Sequence, residues 1–416
     1  GVIGNQEIGS NMFLETMSKT TNGVNWIGDG SSKYDYFSQP KMVSPTLTWE
    51  TIATTNIGID LGFFQNDLNV NFDWYQRNTT GMLAPGKELP SVLGASAAFE
   101  NAGSLRTRGW ELNIDYHHTF VNADNLTIHA NFNLADYKAV ITEWDSDNLT
   151  NTKYSGKEYG EIWGFQTERY FTADDFEADG SYLKQRDAEG NIVVDEEGNA
   201  VLAVADQSKL QSGKFVFGPG VIKFVDQNGD GVIDWGEGTK DDHGDLVKIG
   251  NSAPRWQYSF RLGAEWKGFD IDLFFQGVGK RDMWSPSAFV MPLMRGADAI
   301  YAWQMDYITN EEVAAGNVRQ DAAYPRLFPG NTGQIATANV MERGSNNYVP
   351  QDKYLINMAY LRLKNLTVGY TLPQKWTRKA TIEKVRIYAS FNNLADLVNH
   401  TAQYGFDPEV SSGRGT

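Results

Sequence analysis

The fold is indicated most directly by one alternating stretch of the sequence, Trp256-Gln257-Tyr258-Ser259-Phe260-Arg261-Leu262-Gly263-Ala264-Glu265-Trp266. Every even-numbered position in it is apolar, whereas the odd-numbered positions carry Gln, Ser, Arg, Gly and Glu. Because successive side chains of a β-strand point to opposite faces, this period of two predicts a strand with one apolar and one polar face. After Lys267-Gly268 the alternation resumes in Phe269-Asp270-Ile271-Asp272-Leu273-Phe274-Phe275, so the two segments predict a hairpin.

The same alternation predicts further hairpins, which pair Ile57–Phe63 with Leu68–Trp74, Trp110–Tyr116 with Leu126–Leu134, and Leu361–Leu372 with Val385–Phe391. In the last of these, the parity of the apolar positions switches around Lys364-Asn365, which predicts a β-bulge. About ten strand candidates emerge, and most exceed the five or six residues that are typical of globular strands.

Alternating strands are typical both of a soluble β-sandwich and of a transmembrane β-barrel. Two features favour the barrel. The apolar faces often begin or end in Trp, Tyr or Phe, as the aromatic girdle of a membrane barrel does. The polar faces suit a water-filled lumen, and the residues predicted to face it include Asn69, Asn71, Asp73, Glu111, Asn113, Asp115, Asp270 and Asp272. The predicted fold class is therefore an all-β, antiparallel transmembrane barrel.

Composition excludes several other classes. The formal net charge of -16 argues against a nucleic-acid partner, since phosphate binding needs clustered Lys and Arg. The absence of cysteine rules out disulfides and thiol chemistry. No run of about 18 apolar residues is present for a membrane-spanning helix. The chain opens on Gly1-Val2-Ile3-Gly4 without the features of a signal peptide, so we interpret it as a piece of a longer protein.

Two connections are far longer than ordinary loops, Asp145–Asn251 and Lys280–Tyr354. In an outer-membrane barrel such connections lie on the extracellular side, opposite the short turns. Their acidic stretches, around Asp174–Asp179, Asp187–Glu189 and Asp195–Glu197, lack ligand spacing and are interpreted as solvated loops. Their aromatic side chains could stack on sugar rings, but packing of the loop on itself is favoured for Trp284, Tyr301, Trp303 and Tyr307.

One loop motif predicts a metal site. Residues 226–237, Asp-Gln-Asn-Gly-Asp-Gly-Val-Ile-Asp-Trp-Gly-Glu, match the twelve-residue calcium-loop template, including the glycine at its sixth position. Calcium prefers six to eight oxygen ligands. The candidate ligands are side chains of Asp226, Asn228, Asp230, Asp234 and Glu237, and the backbone carbonyl of Val232. The alternative is an Asn/Asp/Gly turn that binds no ion. Bound Ca²⁺ would have a structural role, offsetting the entropy of ordering a long loop.

The sequence offers little for catalysis. Its five histidines are scattered, and the adjacent His117 and His118 on a predicted strand would point in opposite directions. No HExxH, GxSxG, P-loop or GxGxxG motif occurs. We therefore predict that the protein is not an enzyme.

Several segments, taken in order, resemble SusC/RagA-like TonB-dependent transporters. They are Gly4–Ile8, Leu47–Glu50, Asn56–Asp60, Asn101–Leu112, Asp226–Asp234, Gly268–Ile271, Tyr360–Tyr370, Phe391–Leu394 and Tyr404–Glu409. Trp110 departs from the small or aliphatic residue that is usual in the family at that position. The resemblance implies the C-terminal part of a barrel of about 22 strands, with the plug domain before Gly1 and the closing strand after Thr416.

The resemblance also implies a function: active import of a nutrient across the bacterial outer membrane. The expected substrate is a glycan or oligosaccharide, or alternatively a peptide. The expected partners are a SusD-like surface lipoprotein, the TonB complex acting through the plug, and outer-membrane lipid, with a dimer of transporter–lipoprotein pairs as a further expectation. Two alternatives remain open: a passive outer-membrane pore, and a soluble, calcium-stapled carbohydrate-binding β protein.

Overall fold

The computed structural model describes residues 2–5, 14–24, 34–38, 40, 42–86, 90, 92, 97–146, 153–294, 298–328 and 346–409. Of the segments that carry the family resemblance, residues 6–8 lie outside this described part of the chain. Among the described residues, no helix has the length and apolar character needed to cross a membrane.

The described chain is built mainly of β-strands. In chain order they are β1 Val2–Asn5, β2 Lys19–Val24, β3 Tyr34–Phe37, β4 Glu50–Phe63, β5 Leu68–Pro85, β6 Phe99–Phe120, β7 Leu126–Glu143, β8 Glu161–Gly164, β9 Thr167–Tyr170, β10 Ile222–Phe224, β11 Val247–Asn251, β12 Arg255–Trp266, β13 Phe269–Lys280, β14 Asp282–Met283, β15 Ile356–Asn357, β16 Tyr360–Thr371 and β17 Arg386–Asn399. Two short helices, α1 Asn310–Ala314 and α2 Gln374–Thr377, lie in connections.

One antiparallel sheet of nine strands dominates, in the order β1-β4-β5-β6-β7-β12-β13-β16-β17. All four predicted hairpins are present in it, as β4–β5, β6–β7, β12–β13 and β16–β17. The β12–β13 turn uses positive φ at Lys267 (50°) and Gly268 (89°), the conformation of a tight primed turn. These results confirm the predicted all-β, antiparallel fold class.

The predicted β-bulge is also confirmed. Asn365 lies opposite Phe274 of β13, whereas Leu363 lies opposite Phe275, so Lys364 is skipped in the pairing. The pairing of β16 with β17 is interrupted at the same place.

The two faces of the sheet differ as the alternation predicts. On the apolar face Ile57 is 62% exposed and Phe269 is 60% exposed, which suits a surface that contacts lipid rather than water. Trp256 and Trp266 lie ten residues apart on β12, or about 33 Å along the strand. At a tilt near 40° this corresponds to about 25 Å of height, which matches the apolar band of outer-membrane barrels.

The two long connections fold together into a second region, called here the loop subdomain (described residues 153–254, 281–294, 298–328 and 346–359). Its interior is a continuous hydrophobic core that includes the fully buried Phe165, Phe171, Ile233 and Met291. Short strand pairs, β8–β11, β9–β10 and β14–β15, are part of it. The loop subdomain lies at the end of the sheet opposite the short turns.

Candidate functional site

The polar face of the sheet carries a continuous row of hydrogen-bonding side chains. Strand register places its members directly opposite one another on neighbouring strands, from Asp60 through Asn71, Asn113, Asn133, Ser259, Gln276 and Arg362 to Asp396. Eight strands therefore contribute to one polar stripe that crosses the sheet.

The members of this stripe hydrogen-bond to each other. The amide of Asn71 donates to Asp60 Oδ1 at 2.6 Å, and the amide of Asn113 donates to Asn133 Oδ1 at 2.6 Å. The amide of Asn133 reaches Ser259 Oγ at 3.3 Å. Cross-strand polar pairs of this kind fix side-chain positions and strengthen the pairing of strands.

Six residues predicted to line the lumen occupy this face as three cross-strand pairs: Asn69 with Asp115, Asn71 with Asn113, and Asp73 with Glu111. The other two, Asp270 and Asp272, contact basic side chains nearer the short turns. Arg261 Nε lies 2.9 Å from Asp272 Oδ2, and His129 Nε2 lies 3.1 Å from the same oxygen. Asp270 is paired with Arg386.

A cavity of about 480 Å³ opens on the polar face below the loop subdomain. Its wall is rich in amides and carboxylates, including Asn71, Asp73, Glu111, Asn113, Asn133 and Gln276. Asp73 and Glu111 lie directly opposite each other, which places two acidic groups side by side. Amide and carboxylate oxygens accept hydrogen bonds, and amide NH₂ groups donate them, so the wall can bind hydroxyl groups in both senses.

The segment 401–409 closes one side of this cavity through Pro408 and Glu409. Glu409 Oε1 accepts a hydrogen bond from Lys364 Nζ at 2.8 Å, and Asp407 Oδ1 lies 3.2 Å from Arg362 Nη2. The backbone N–H of Glu409 donates to Asp407, and this bond, together with Arg362, holds the pKa of Asp407 below its ordinary value.

The other end of this segment packs on the loop subdomain through Tyr404 and Phe406. The segment therefore ties the loop subdomain to the polar face of β16. The motif is visible in the sequence, but this contact is not. The bulge at Lys364 is the one local sign of it, because it adds a lysine to β16 that can pair with Glu409.

The predicted calcium loop is closed by its own side chains. The two carboxylate oxygens of Asp226 accept hydrogen bonds from the backbone N–H groups of Gly229 (2.6 Å) and Gly231 (2.9 Å). Asn228 Oδ1 accepts from the N–H of Asp230 at 3.0 Å. These contacts fold residues 226–231 into one tight turn, which carries the residues at the first, third and fifth loop positions.

The second half of that loop departs from a simple ligand arrangement. Asp234 Oδ2 is bound by Lys209 Nζ at 2.6 Å, and Glu237 is exposed. The backbone N–H of Val232 donates to Asp230 Oδ1 at 2.8 Å. Within the described ranges, no three His, Cys, Asp or Glu side chains are grouped closely enough to hold a metal ion. Calcium binding by these residues stays a prediction.

Two of the three acidic stretches, Asp187–Glu189 and Asp195–Glu197, lie in exposed turns, as predicted. In the third, Asp175 is buried and paired with Arg169, so the solvated interpretation is wrong there. Asp187 Oδ1 accepts from the N–H groups of Glu189 (3.0 Å) and Asn191 (2.8 Å), and Asp195 repeats the arrangement with Glu197 and Asn199. The hydrogen bonds from Asn191 lower the pKa of Asp187.

The four loop aromatics divide into two groups. Trp284 is buried in the hydrophobic core, and Tyr307 packs against that core. Both agree with the interpretation that these side chains pack the loop on itself. Trp303 is 41% exposed, and its ring stacks on Tyr301 at 4.7 Å between centroids.

Comparisons with known proteins agree with this geometry. Residues 20–394 match the model of the family described as TonB dependent receptor-like, beta-barrel. The chain is 24% identical over 432 residues to TonB-dependent receptor P3 of Formosa agariphila, covering 99% of this chain and 35% of that protein. It is 25% identical over 418 residues to TonB-dependent receptor SusC of Bacteroides thetaiotaomicron, again covering 99% of this chain and 35% of that protein.

Among solved structures, the RagAB peptide transporter aligns with a TM-score of 0.62 at 19% identity, which shows likeness of fold. The alignment covers 99% of this chain and 38% of that one. The chain thus spans about a third of the length of the curated relatives that it matches.

Proposed function

The chain belongs to the TonB-dependent receptor-like β-barrel family, with SusC/RagA-like relatives, and we propose from this that it forms part of an active nutrient importer of the bacterial outer membrane. In this proposal the apolar face of the nine-stranded sheet contacts lipid and the polar face lines the lumen. The loop subdomain lies outside the cell. The observation that carries the proposal is the polar stripe across eight strands, backed by a face whose large apolar side chains are exposed.

We further propose that the substrate is a glycan or oligosaccharide. Closely spaced amides and carboxylates in the cavity, such as Asn113, Asn133 and Glu111, suit the adjacent hydroxyl groups of a sugar. The facing carboxylates Asp73 and Glu111 disfavour an anionic substrate, since like charges repel. A peptide remains the second candidate, because RagAB, whose fold is similar, is a peptide transporter.

An uptake assay tests the role of the cavity. Cells that express the complete receptor are given labelled neutral oligosaccharides or labelled peptides. The variant Asn113→Ala removes an amide from the cavity, and the matched control Asn131→Ala removes one from the same face outside it. We expect Asn113→Ala to lower oligosaccharide uptake several-fold while the control keeps wild-type uptake. Equal uptake by both variants would exclude the cavity, and uptake of peptides alone would favour the second candidate.

Energy coupling separates active import from a passive pore. Uptake that stops when TonB is depleted supports the importer, and uptake that continues unchanged supports the pore.

Solubility tests the remaining alternative, a soluble carbohydrate-binding protein. If the complete protein is a monodisperse monomer in buffer without detergent, the membrane barrel is wrong and a soluble carbohydrate-binding protein is the better interpretation.

We also propose that the importer pairs with a SusD-like lipoprotein on the loop subdomain, and that such pairs form dimers. Trp303, which is exposed and stacks on the half-buried Tyr301, supports an interacting surface there, because exposed aromatic side chains are common at interfaces. Affinity purification of the tagged receptor from outer membranes should recover a lipoprotein in equal amounts. Recovery of the receptor alone under mild detergent would contradict this proposal.

Finally, we propose that calcium binds the 226–237 loop and rigidifies it. The turn formed by Asp226, Asn228 and Asp230 supports this, whereas the contact of Lys209 with Asp234 competes with it. Asp230→Ala should weaken calcium binding and increase proteolysis of the loop, and Lys209→Gln should strengthen binding. Elemental analysis that finds no calcium at millimolar supply would overturn the proposal.

A further inference from the structure

The apolar face of the sheet changes its character above a row of tryptophans. Trp74 lies directly opposite Trp110, and the ring of Trp110 lies 5.9 Å from that of Trp256. Two residues further toward the loop subdomain, Arg108 is paired on one side with Gln76 and on the other with Lys138. The outward face is therefore apolar below the tryptophans. The tryptophan row also holds Asp136, which lies opposite Trp110, and the rows above it carry Arg108, Lys138 and Arg106.

Register places Arg108 and Lys138 directly opposite each other, and like charges in this position destabilise a sheet. Arg106 lies one row higher on the same strand and the same face, opposite Asn78. Arg108 is exposed, and its Nε donates a hydrogen bond to Gln76 Oε1 at 2.7 Å. Its two terminal nitrogens take no part in that bond.

The nearby carboxylates are already paired with other cations. Asp136 accepts Arg255 at 2.5 Å, and Glu158 binds Lys138 at 2.5 Å with Arg255 at 3.8 Å. In the part of the chain that the structure describes, neither Arg106 nor Arg108 has an ion pair. Arg255 and Lys138 hold these two carboxylates, and a third, Glu143, accepts a hydrogen bond from Ser104 one row above Arg106. Among the described residues, Arg106 and Arg108 therefore stand out as cations without an ion-pair partner on this patch of a chain whose net charge is -16.

We propose that Arg106, Arg108 and Lys138 form a binding site for the phosphate groups of outer-leaflet lipid. The proposal rests on the proposed membrane placement of the sheet. Tryptophans of a membrane protein lie at headgroup level, and a row two residues higher is about 5 Å further out, where lipid phosphates lie. Lys138 is already paired with Glu158, so a bound phosphate chiefly offsets the unpaired charge of Arg108 and Arg106, and a guanidinium group binds phosphate in a bidentate manner.

The test uses the complete receptor in phosphatidylcholine nanodiscs that contain phosphorylated lipid A, with bound lipid counted by native mass spectrometry. The double variant Arg106→Gln/Arg108→Gln should bind lipid A roughly thirtyfold more weakly than wild type. The control is Arg77→Gln, which removes one positive charge at the same height from the opposite face of the sheet, opposite Thr107, and is compared with the single variant Arg108→Gln. This control should retain wild-type binding.

A second measurement detects a variant that simply misfolds. In neutral detergent without anionic lipid, Arg108→Gln should unfold at the same or a higher temperature than wild type, because a like-charge contact is removed. With lipid A added, only the wild type should gain thermal stability. Arg108→Lys should keep part of that gain, because charge is retained without the bidentate geometry.

Three results would overturn the proposal. The double variant could bind lipid A as tightly as wild type does. Lipid A without its phosphates could bind equally well, which would mean that the acyl chains alone are recognised. Inorganic phosphate could stabilise the detergent-solubilised receptor as much as lipid A does, which would identify a site for a free anion instead of a lipid.

Discussion

Large apolar side chains have opposite environments in the two regions of this molecule. On the outer face of the sheet, Ile57 and Phe269 are mostly exposed, whereas in the loop subdomain Phe165 and Phe171 are 0% exposed. The sheet is held by its ladder of backbone hydrogen bonds and is matched to a lipid solvent. The loop subdomain instead buries a hydrophobic core as a water-soluble domain does. The sheet therefore exposes apolar side chains to lipid, whereas the loop subdomain buries them away from water. Substitutions of the same kind should have different effects on stability in the two regions.

Removal of a core ring from the loop subdomain should have the largest effect. Phe171 lies 5.2 Å from the ring of Phe176 and 6.0 Å from that of Tyr182. Phe171→Ala leaves a cavity among them and should cost about 3–5 kcal/mol of local stability. The measurement is the rate of limited proteolysis between residues 153 and 254 in the complete receptor.

The control for this prediction lies on the sheet. Ile59 is 54% exposed, so Ile59→Ala should cost well under 1 kcal/mol in detergent and leave the proteolysis pattern unchanged. If Phe171→Ala is as resistant to protease as Ile59→Ala, the loop subdomain does not depend on its hydrophobic core, and the comparison fails.

A charge placed on an exposed apolar position should separate lipid from water as the solvent. Leu262 is 45% exposed near the middle of the outer face, and Val194 is 56% exposed on the loop subdomain. Leu262→Arg should cost about 2–4 kcal/mol, because an arginine near the bilayer midplane loses its hydration. Val194→Arg should change stability by about 0.5 kcal/mol or less. Denaturant titration of the receptor in lipid vesicles measures the free energy of unfolding of each variant. Equal losses for Leu262→Arg and Val194→Arg would show that the apolar face of the sheet contacts water.

Acid should loosen the loop subdomain through a buried ion pair. Asp175 is buried and binds Arg169 through two hydrogen bonds, at 2.6 and 2.7 Å. Burial alone would raise the pKa of Asp175, but the bonds from Arg169 and the Thr172 N–H outweigh it, so the pKa lies below its ordinary value. A lowered folded-state pKa contributes stability that is present above the unfolded value, near 3.9, and is lost as pH falls through the folded value.

Asp175→Asn should therefore cost about 2–3 kcal/mol at neutral pH, less than for a fully buried pair since Arg169 is one-third exposed. It should also reduce the loss of stability below about pH 4. Hydrogen exchange of residues 167–176 against pH measures both effects. The neighbouring Asp174 is exposed, so Asp174→Asn is the control. If Asp175→Asn loses stability in acid as the wild type does, other carboxylates cause the acid transition.

The two regions also differ in how far the sequence predicted them. Alternation predicted the hairpins of the main sheet, and even the bulge at Lys364, because each strand has one face in each environment and the period of two is local. The alternation underestimated the lengths of the strands. For example, the predicted segment Trp110–Tyr116 is only part of the 22-residue strand β6. The reason is that strand residues above the membrane level need not alternate.

The loop subdomain was predicted only as long polar connections. Its core is assembled from residues far apart in sequence, such as Phe165 and Met358, which share no local period. For the same reason, the role of the segment 401–409 could not be derived from sequence, since its partners Arg362 and Lys364 lie about 45 residues earlier. Turns could be predicted from local sequence in both regions, because those rich in Asp, Asn and Gly form where the composition predicts them.

The smallest difference concerns two glycines that share a backbone conformation. Gly268, in the turn between β12 and β13, and Gly190, in a turn of the loop subdomain, both have φ of 89°. A Cβ added at Gly268 would lie 2.7 Å from the backbone oxygen of Thr371, whereas one added at Gly190 would meet nothing within 4 Å.

Gly190→Ala should therefore cost only the conformational strain of the left-handed region, about 1–2 kcal/mol. Gly268→Ala should cost about 1 kcal/mol more, because the Thr371 carbonyl cannot move away without disturbing the hydrogen bond that the Thr371 N–H donates to the Gly268 carbonyl. Thermal unfolding of the sheet and proteolysis of the loop, measured in both variants, give the two values. Equal costs would mean that the turn at Gly268 shifts freely, and that the short-turn end of the sheet is softer than its pairing implies.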